Sequence, residues 1–139
     1  MSELSETIEV RVRFSEIDSL RMVWHGAYVL YMEDAREAFG RKYGLEYMTI
    51  FRAGYFAPVY DMHLRFLRPA TIDDILTVKI SWKPAVGGKL CFAYEIRRKS
   101  DGELMLIADT IQLFTTAEGD FDPSAPDFYE EWKKKNGVI

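Results

Sequence analysis

The chain has 139 residues, of which 48% are hydrophobic and 14% aromatic, with a formal net charge of −4. That size and apolar content point to a single domain over residues 1–139 with its own core and exclude a disordered chain. Acidic balance without a long basic run argues against nucleic acid as a partner; no apolar run approaches the ~18 residues of a membrane span; one cysteine and a polar, acidic opening stretch suggest a cytoplasmic location.

Ile8, Val10, Val12 and Phe14 alternate with Glu9, Arg11 and Arg13, the period of a half-buried strand. Residues 26 to about 43 read as a helix. Tyr28, Tyr31, Ala35 and Phe39 form one face of it, Ala27, Met32 and Ala38 widen that face, and Gly44 closes it. A short second helix is expected over 45–52, broken by Gly54. Residues 59–67 read as a strand with Tyr60, Met62, Leu64 and Phe66 on one face, ended by Arg68-Pro69-Ala70 and turned by Asp73-Asp74. Leu76, Val78, Ile80 and Trp82 alternate next, then Leu90, Phe92, Tyr94 and Ile96 after a loop at 84–88. Ser100-Asp101-Gly102 turns into the longest strand, 104–115, and 127–135 reads as a C-terminal helix. Strand, long helix, then four strands joined mostly by short turns implies antiparallel pairing. The fold class is therefore α+β, one long central helix wrapped by an antiparallel β-sheet.

Asp18 lies in a short loop before the long helix. A carboxylate can attack a carbonyl carbon or activate water against it. The free N–H groups of a helix start can hold the negative charge that then forms on the carbonyl oxygen. The two together suit acyl transfer. Other chemistries lack their residues. His25, His63 and Cys91 have no metal-ligand spacing, and there is neither a Gly-x-Ser-x-Gly elbow nor a Gly-x-Gly-x-x-Gly loop. No metal or other cofactor is expected. His63, beside Asp61 and Arg65, reads as a paired strand residue, and Cys91 as a packing residue.

Asp18, Val23, Trp24, His25, Tyr28, Glu33 and Arg36 follow the pattern Asp-x-x-Gly-x-Val-Tyr/Trp-His-x-x-Tyr and then Glu-x-x-Arg. The segment resembles the 4-hydroxybenzoyl-CoA thioesterase family of hotdog-fold acyl-CoA thioesterases, including its Tol-Pal-associated branch. The likeness runs from about residue 9 to 126, through Leu67-Arg68-Pro69-Ala70 and Phe92-x-Tyr-x-Ile. It implies a hotdog fold, hydrolysis of an acyl-CoA substrate to free acid and CoA, and homodimers or homotetramers built through sheet edges. It implies Asp18 as nucleophile or general base. The backbone N–H at His25 would meet the carbonyl oxygen, with Gly26 leaving room for substrate. Trp24 and Tyr28 would line the acyl pocket or the core. Lys89, after Gly87 and Gly88, with Lys83 nearby, would meet the CoA phosphates, and Glu33 is a reserve catalytic carboxylate. One departure stands out: Arg21 replaces the family's Gly, three residues after Asp18, within reach to pair with it. Two rival readings stay open, a hotdog enoyl-thioester hydratase or dehydratase recruiting His25 and Glu33, and a non-catalytic acyl-CoA-binding module.

Overall fold

Tyr28, Tyr31, Ala35 and Phe39 are all buried in the computed structural model, which describes residues 3–138. They form the inner face of α1 (Ala27–Tyr43), which ends at Gly44 with a φ of 74°, a left-handed value that glycine adopts without the Cβ clash. The face packs on a five-stranded antiparallel sheet in the order β1-β4-β5-β6-β3. These strands are β1 (Ser5–Arg11), β3 (Val59–Phe66), β4 (Ile75–Lys83), β5 (Lys89–Arg98) and β6 (Leu104–Leu113). Leu76, Val78 and Ile80 on β4 and Leu90, Phe92, Tyr94 and Ile96 on β5 supply the sheet's buried face, as their alternation requires. α2 (Tyr47–Arg52) follows α1, and α3 (Asp127–Lys135) closes one end of the core. Trp82 Nε1 donates to the Tyr129 hydroxyl at 2.8 Å and Trp132 Nε1 to the Tyr43 carbonyl at 2.7 Å, so both buried indoles are satisfied. This long helix against one antiparallel sheet is the hotdog arrangement.

Three expectations change. β1 stops at Arg11; Phe14 is 80% exposed in a 3₁₀ turn, Phe14–Glu16. That turn is held by Glu16, whose Oε1 accepts from Arg13 N–H at 2.9 Å and from the Tyr31 hydroxyl at 2.8 Å. The strand expected over 104–115 breaks at Phe114; β7 (Thr115–Thr116) pairs instead with an unexpected β2 (Tyr55–Phe56). The loop expected at 84–88 does form, and it is packed: Gly88 N–H donates to the Pro123 carbonyl at 3.1 Å, and a side chain on Gly88 would collide with the Asp122 carbonyl.

Finally, β3 does not form a hairpin with β4. It pairs with β6 at the far side of the sheet, with Leu64 opposite Ala108 and Phe66 opposite Leu106. Residues 67–74 therefore cross the end of the sheet, passing under the start of α1. Ala70 N–H donates to the Tyr28 hydroxyl at 3.3 Å, and the Ala70 carbonyl accepts from Val23 N–H at 2.9 Å. This crossing is the platform on which the Asp18 loop rests.

Candidate active site

Ile17 and Val23 form an isolated antiparallel bridge, and the loop between them is tied by its own backbone. Asp18 N–H donates to the Met22 carbonyl at 2.9 Å, and Arg21 N–H to the Asp18 carbonyl at 3.0 Å. The Asp18 side chain completes the loop: Oδ1 accepts from Leu20 N–H at 2.8 Å and from Met22 N–H at 3.4 Å, as short acidic side chains commonly do in turns. Oδ2 has no hydrogen-bond donor among the described residues. One oxygen is thus fixed and the other is available, the arrangement a general base or nucleophile needs.

Beyond the bridge, Trp24 N–H donates to the Glu16 carbonyl at 2.7 Å, and the chain then enters α1. Asp18 sits two positions along this ribbon from the Glu16–Trp24 pair, roughly 7 Å at strand spacing. Ala27 N–H returns to the Trp24 carbonyl at 2.9 Å, whereas the N–H groups of His25 and Gly26 meet no acceptor among the described residues. These donors at the positive end of a helix suit a developing oxyanion. The His25 side chain is exposed, its ring centroid 5.5 Å from that of Trp24. Trp24 itself is half exposed and lies across the α-carbon of Gly26, so the space that the missing side chain leaves is taken by the indole. Tyr28 is a buried packing residue, edge-on to Phe66 at 5.6 Å.

The sequence pattern missed a second feature. A pocket of about 720 Å³ opens between α1, α2, β2, β3 and β6, lined among others by Met32, Glu33, Arg36, Tyr94, Thr110 and Gln112. Glu33 and Arg36 form no ion pair among the described residues. Glu33 points to solvent, while the Arg36 guanidinium lies 4.9 Å from the centre of the Phe92 ring. The signal was there in part: Thr110 continues the inward alternation of Leu106 and Ala108, a polar residue where the pattern calls for an apolar one.

A model of the thioesterase-like superfamily matches residues 12–133. The chain belongs to that superfamily. It is 25% identical over 130 residues to YneP of Bacillus subtilis strain 168, provisionally named an acyl-CoA thioesterase, covering 91% of this chain and 94% of that one. Among solved structures, a 1,4-dihydroxy-2-naphthoyl-CoA thioesterase from Synechocystis superposes with a TM-score of 0.81 at 22% identity, covering 92% and 94% of the two chains. The 4-hydroxybenzoyl-CoA thioesterase of Pseudomonas sp. strain CBS-3 superposes with a TM-score of 0.79 at 24% identity, covering 92% and 98%.

For this thioesterase-like chain, Asp18, Trp24, His25, Gly26 and Tyr28 come together, but Lys83, Gly88 and Lys89 do not join them. The Asp18 loop lies at the Ile75 end of β4 and the lysines at its Lys83 end, roughly 26 Å away at ~3.3 Å per residue. Lys83 is also held by Glu3 at 3.4 Å. Nor does Arg21 pair with Asp18 among the described residues. Its φ is 64°, which explains the glycine that the family pattern has there. Left-handed backbone costs a non-glycine residue about 1 kcal/mol, so Arg21→Gly should raise stability by about that amount in a denaturant titration. An unchanged or lower stability would mean that the arginine side chain repays its strain.

Proposed function

We propose that the protein is an acyl-CoA thioesterase in which Asp18 attacks the thioester carbonyl or activates water against it. The observation that carries this reading is the Asp18 carboxylate, one oxygen tied by loop N–H groups and the other open, close to the unengaged N–H groups of His25 and Gly26. As general base, Asp18 takes a proton from water while the oxygen bonds to the carbonyl carbon. The helix-start N–H groups hold the oxyanion until the C–S bond breaks and CoA leaves as thiolate. With a thiol pKa near ~8.5, that leaving group needs no strong acid. As nucleophile, Asp18 forms a mixed anhydride that water then hydrolyses. The hydratase reading fares worse within one chain, because His25 and Glu33 are roughly 12 Å apart along the helix axis. A thiol-release screen over short, long and aromatic acyl-CoAs tests the reading; binding without turnover across the panel would make the protein a binding module instead.

The site is completed by a second copy. Both outer strands are open and both carry charge, Glu6, Glu9 and Arg11 on β1 and Asp61 and Arg65 on β3, but β3 alone also leaves large apolar side chains exposed, Val59, Tyr60 and Phe66. Antiparallel pairing of β3 with its copy sets the Val59 end, beside the pocket, opposite the Phe66 end of the second copy, beside Tyr28 and the Asp18 loop. The pocket of one copy would then receive the acyl group attacked by Asp18 of the other. The same reversal brings Lys89 and Lys83 of the second copy to the Asp18 end, within range of CoA phosphates. Dimers, or tetramers made from them, are expected by sedimentation at micromolar concentration; a clean monomer that still hydrolyses acyl-CoA would refute the shared site. No helix among the described residues is long and apolar enough to cross a membrane, and we place the protein in the cytoplasm, where a lone thiol such as Cys91 stays reduced.

A further inference from the structure

The 720 Å³ pocket is lined by hydrogen-bonding groups with capacity to spare. Thr110 is only 3% exposed; its Oγ1 makes no close hydrogen bond and has the Tyr94 hydroxyl as a polar neighbour. Arg36 stacks on Phe92, and its Nε reaches Gln112 Oε1 at 3.4 Å. Gln112 cannot turn away, because its Nε2 donates to the Ala57 carbonyl at 2.6 Å. The Nη groups of Arg36 have no acceptor among the described residues, and no carboxylate pairs with it there. Tyr94 adds a buried hydroxyl to the same pocket. Burial draws the pKa of Arg36 below its usual value, and the charge of Glu33 at the rim, too far away to form an ion pair, offsets only part of that cost. Such a group is costly unless something pairs with it.

The rim has the opposite character. Glu33, Asp34, Glu37 and Glu46 are exposed at the mouth. Their charge is screened by salt, while that of Arg36, shielded by Phe92, is screened less. A small anion alone gains little by passing this rim. An oxygen carried in on a chain anchored elsewhere does not depend on long-range attraction and can reach the donors.

We propose that Arg36 and Thr110, with Tyr94 beside them, select acyl groups that end in an oxygen acceptor, so that the pocket takes ω-carboxy- or ω-hydroxyacyl-CoA in preference to plain alkyl acyl-CoA. This inference rests on the acyl-CoA thioesterase reading. Its test compares kcat/KM for adipoyl-CoA, 6-hydroxyhexanoyl-CoA and hexanoyl-CoA, which share a chain length and differ at the far end. One or both oxygen-bearing substrates should exceed hexanoyl-CoA by roughly 10- to 100-fold, the range of hydrogen bonds to a charged group. Preference for adipoyl-CoA alone identifies a carboxylate; preference for both identifies any acceptor. Arg36→Met should collapse the ratio. Thr110→Val, which removes the hydroxyl at constant shape, should reduce it. Equal kcat/KM on all three substrates would overturn the proposal, as would variants that lower all three alike, since a merely structural role moves every substrate together. Should no acyl-CoA be hydrolysed, the thioesterase reading fails separately, and calorimetric binding of the same three thioesters to wild type and Arg36→Met decides the selectivity by the same criterion.

Discussion

Asp18→Asn is expected to lower kcat on any accepted acyl-CoA by roughly 10²-fold or more, the usual contribution of a positioned base, with no loss of thermal stability. The substitution separates the two jobs of this side chain. An asparagine carbonyl still accepts from the N–H groups of Leu20 and Met22, so the loop stays closed. The amide that replaces the open oxygen neither takes a proton from water nor attacks a carbonyl. Asp18→Ala should add a stability cost of about 1 kcal/mol from the lost loop bonds, so the asparagine variant is the cleaner probe. Steady-state kinetics beside a thermal melt reads both effects. An asparagine variant that kept more than about half of wild-type kcat would move the role to Glu33 or end the thioesterase reading.

The position of Asp18, in a loop ahead of the long helix, was legible because its signal is local. A strand pattern, a helix pattern and the acids Glu16 and Asp18 between them survive in the chain order, and the same holds for the stripe from Tyr28 to Phe39. What was not legible depends on which strand lies beside which. Alternation at Tyr60, Met62, Leu64 and Phe66 says that a strand exists; nothing in it says that the neighbour is β6 rather than β4. The placement of Lys83 and Lys89 at the far end of the sheet from Asp18 likewise follows from pairing and register, not from spacing. The inward course of Arg36 was hidden for a related reason. A Glu-x-x-Arg spacing on a helix suggests a surface pair, but the guanidinium is drawn inward by the Phe92 face and Gln112, both from strands far away in the sequence. Gly87 and Gly88 were legible as a loop, but not as the place where residues 122–124 press against the sheet.

Phe39→Ala should do the reverse of Asp18→Asn. Phe39 is fully buried on α1, its ring 4.6 Å from Tyr43, 5.0 Å from Phe92 and 6.4 Å from Trp132 between centroids. Three different elements meet on this ring, so no single neighbour can fill the whole of the space it leaves. Truncation therefore combines lost transfer energy with a cavity, about 3–5 kcal/mol for a buried aromatic. In a domain of this size that lowers Tm by roughly 10 °C or more. The site stands roughly 18 Å away along the helix from Ala27, so kcat measured well below the melt should stay near wild type. Phe92 connects the two regions, because the ring that packs on Phe39 also carries Arg36 on its other contacts. If Phe92 shifts into the cavity, Arg36 loses its platform, and the preference for oxygen-terminated acyl groups should weaken in Phe39→Ala while the alkyl substrate is turned over as before. A small change in Tm would mean that the aromatic cluster is not the centre of the core. A kcat loss as large as that of Asp18→Asn would mean that the helix transmits packing to the site far more tightly than its length suggests.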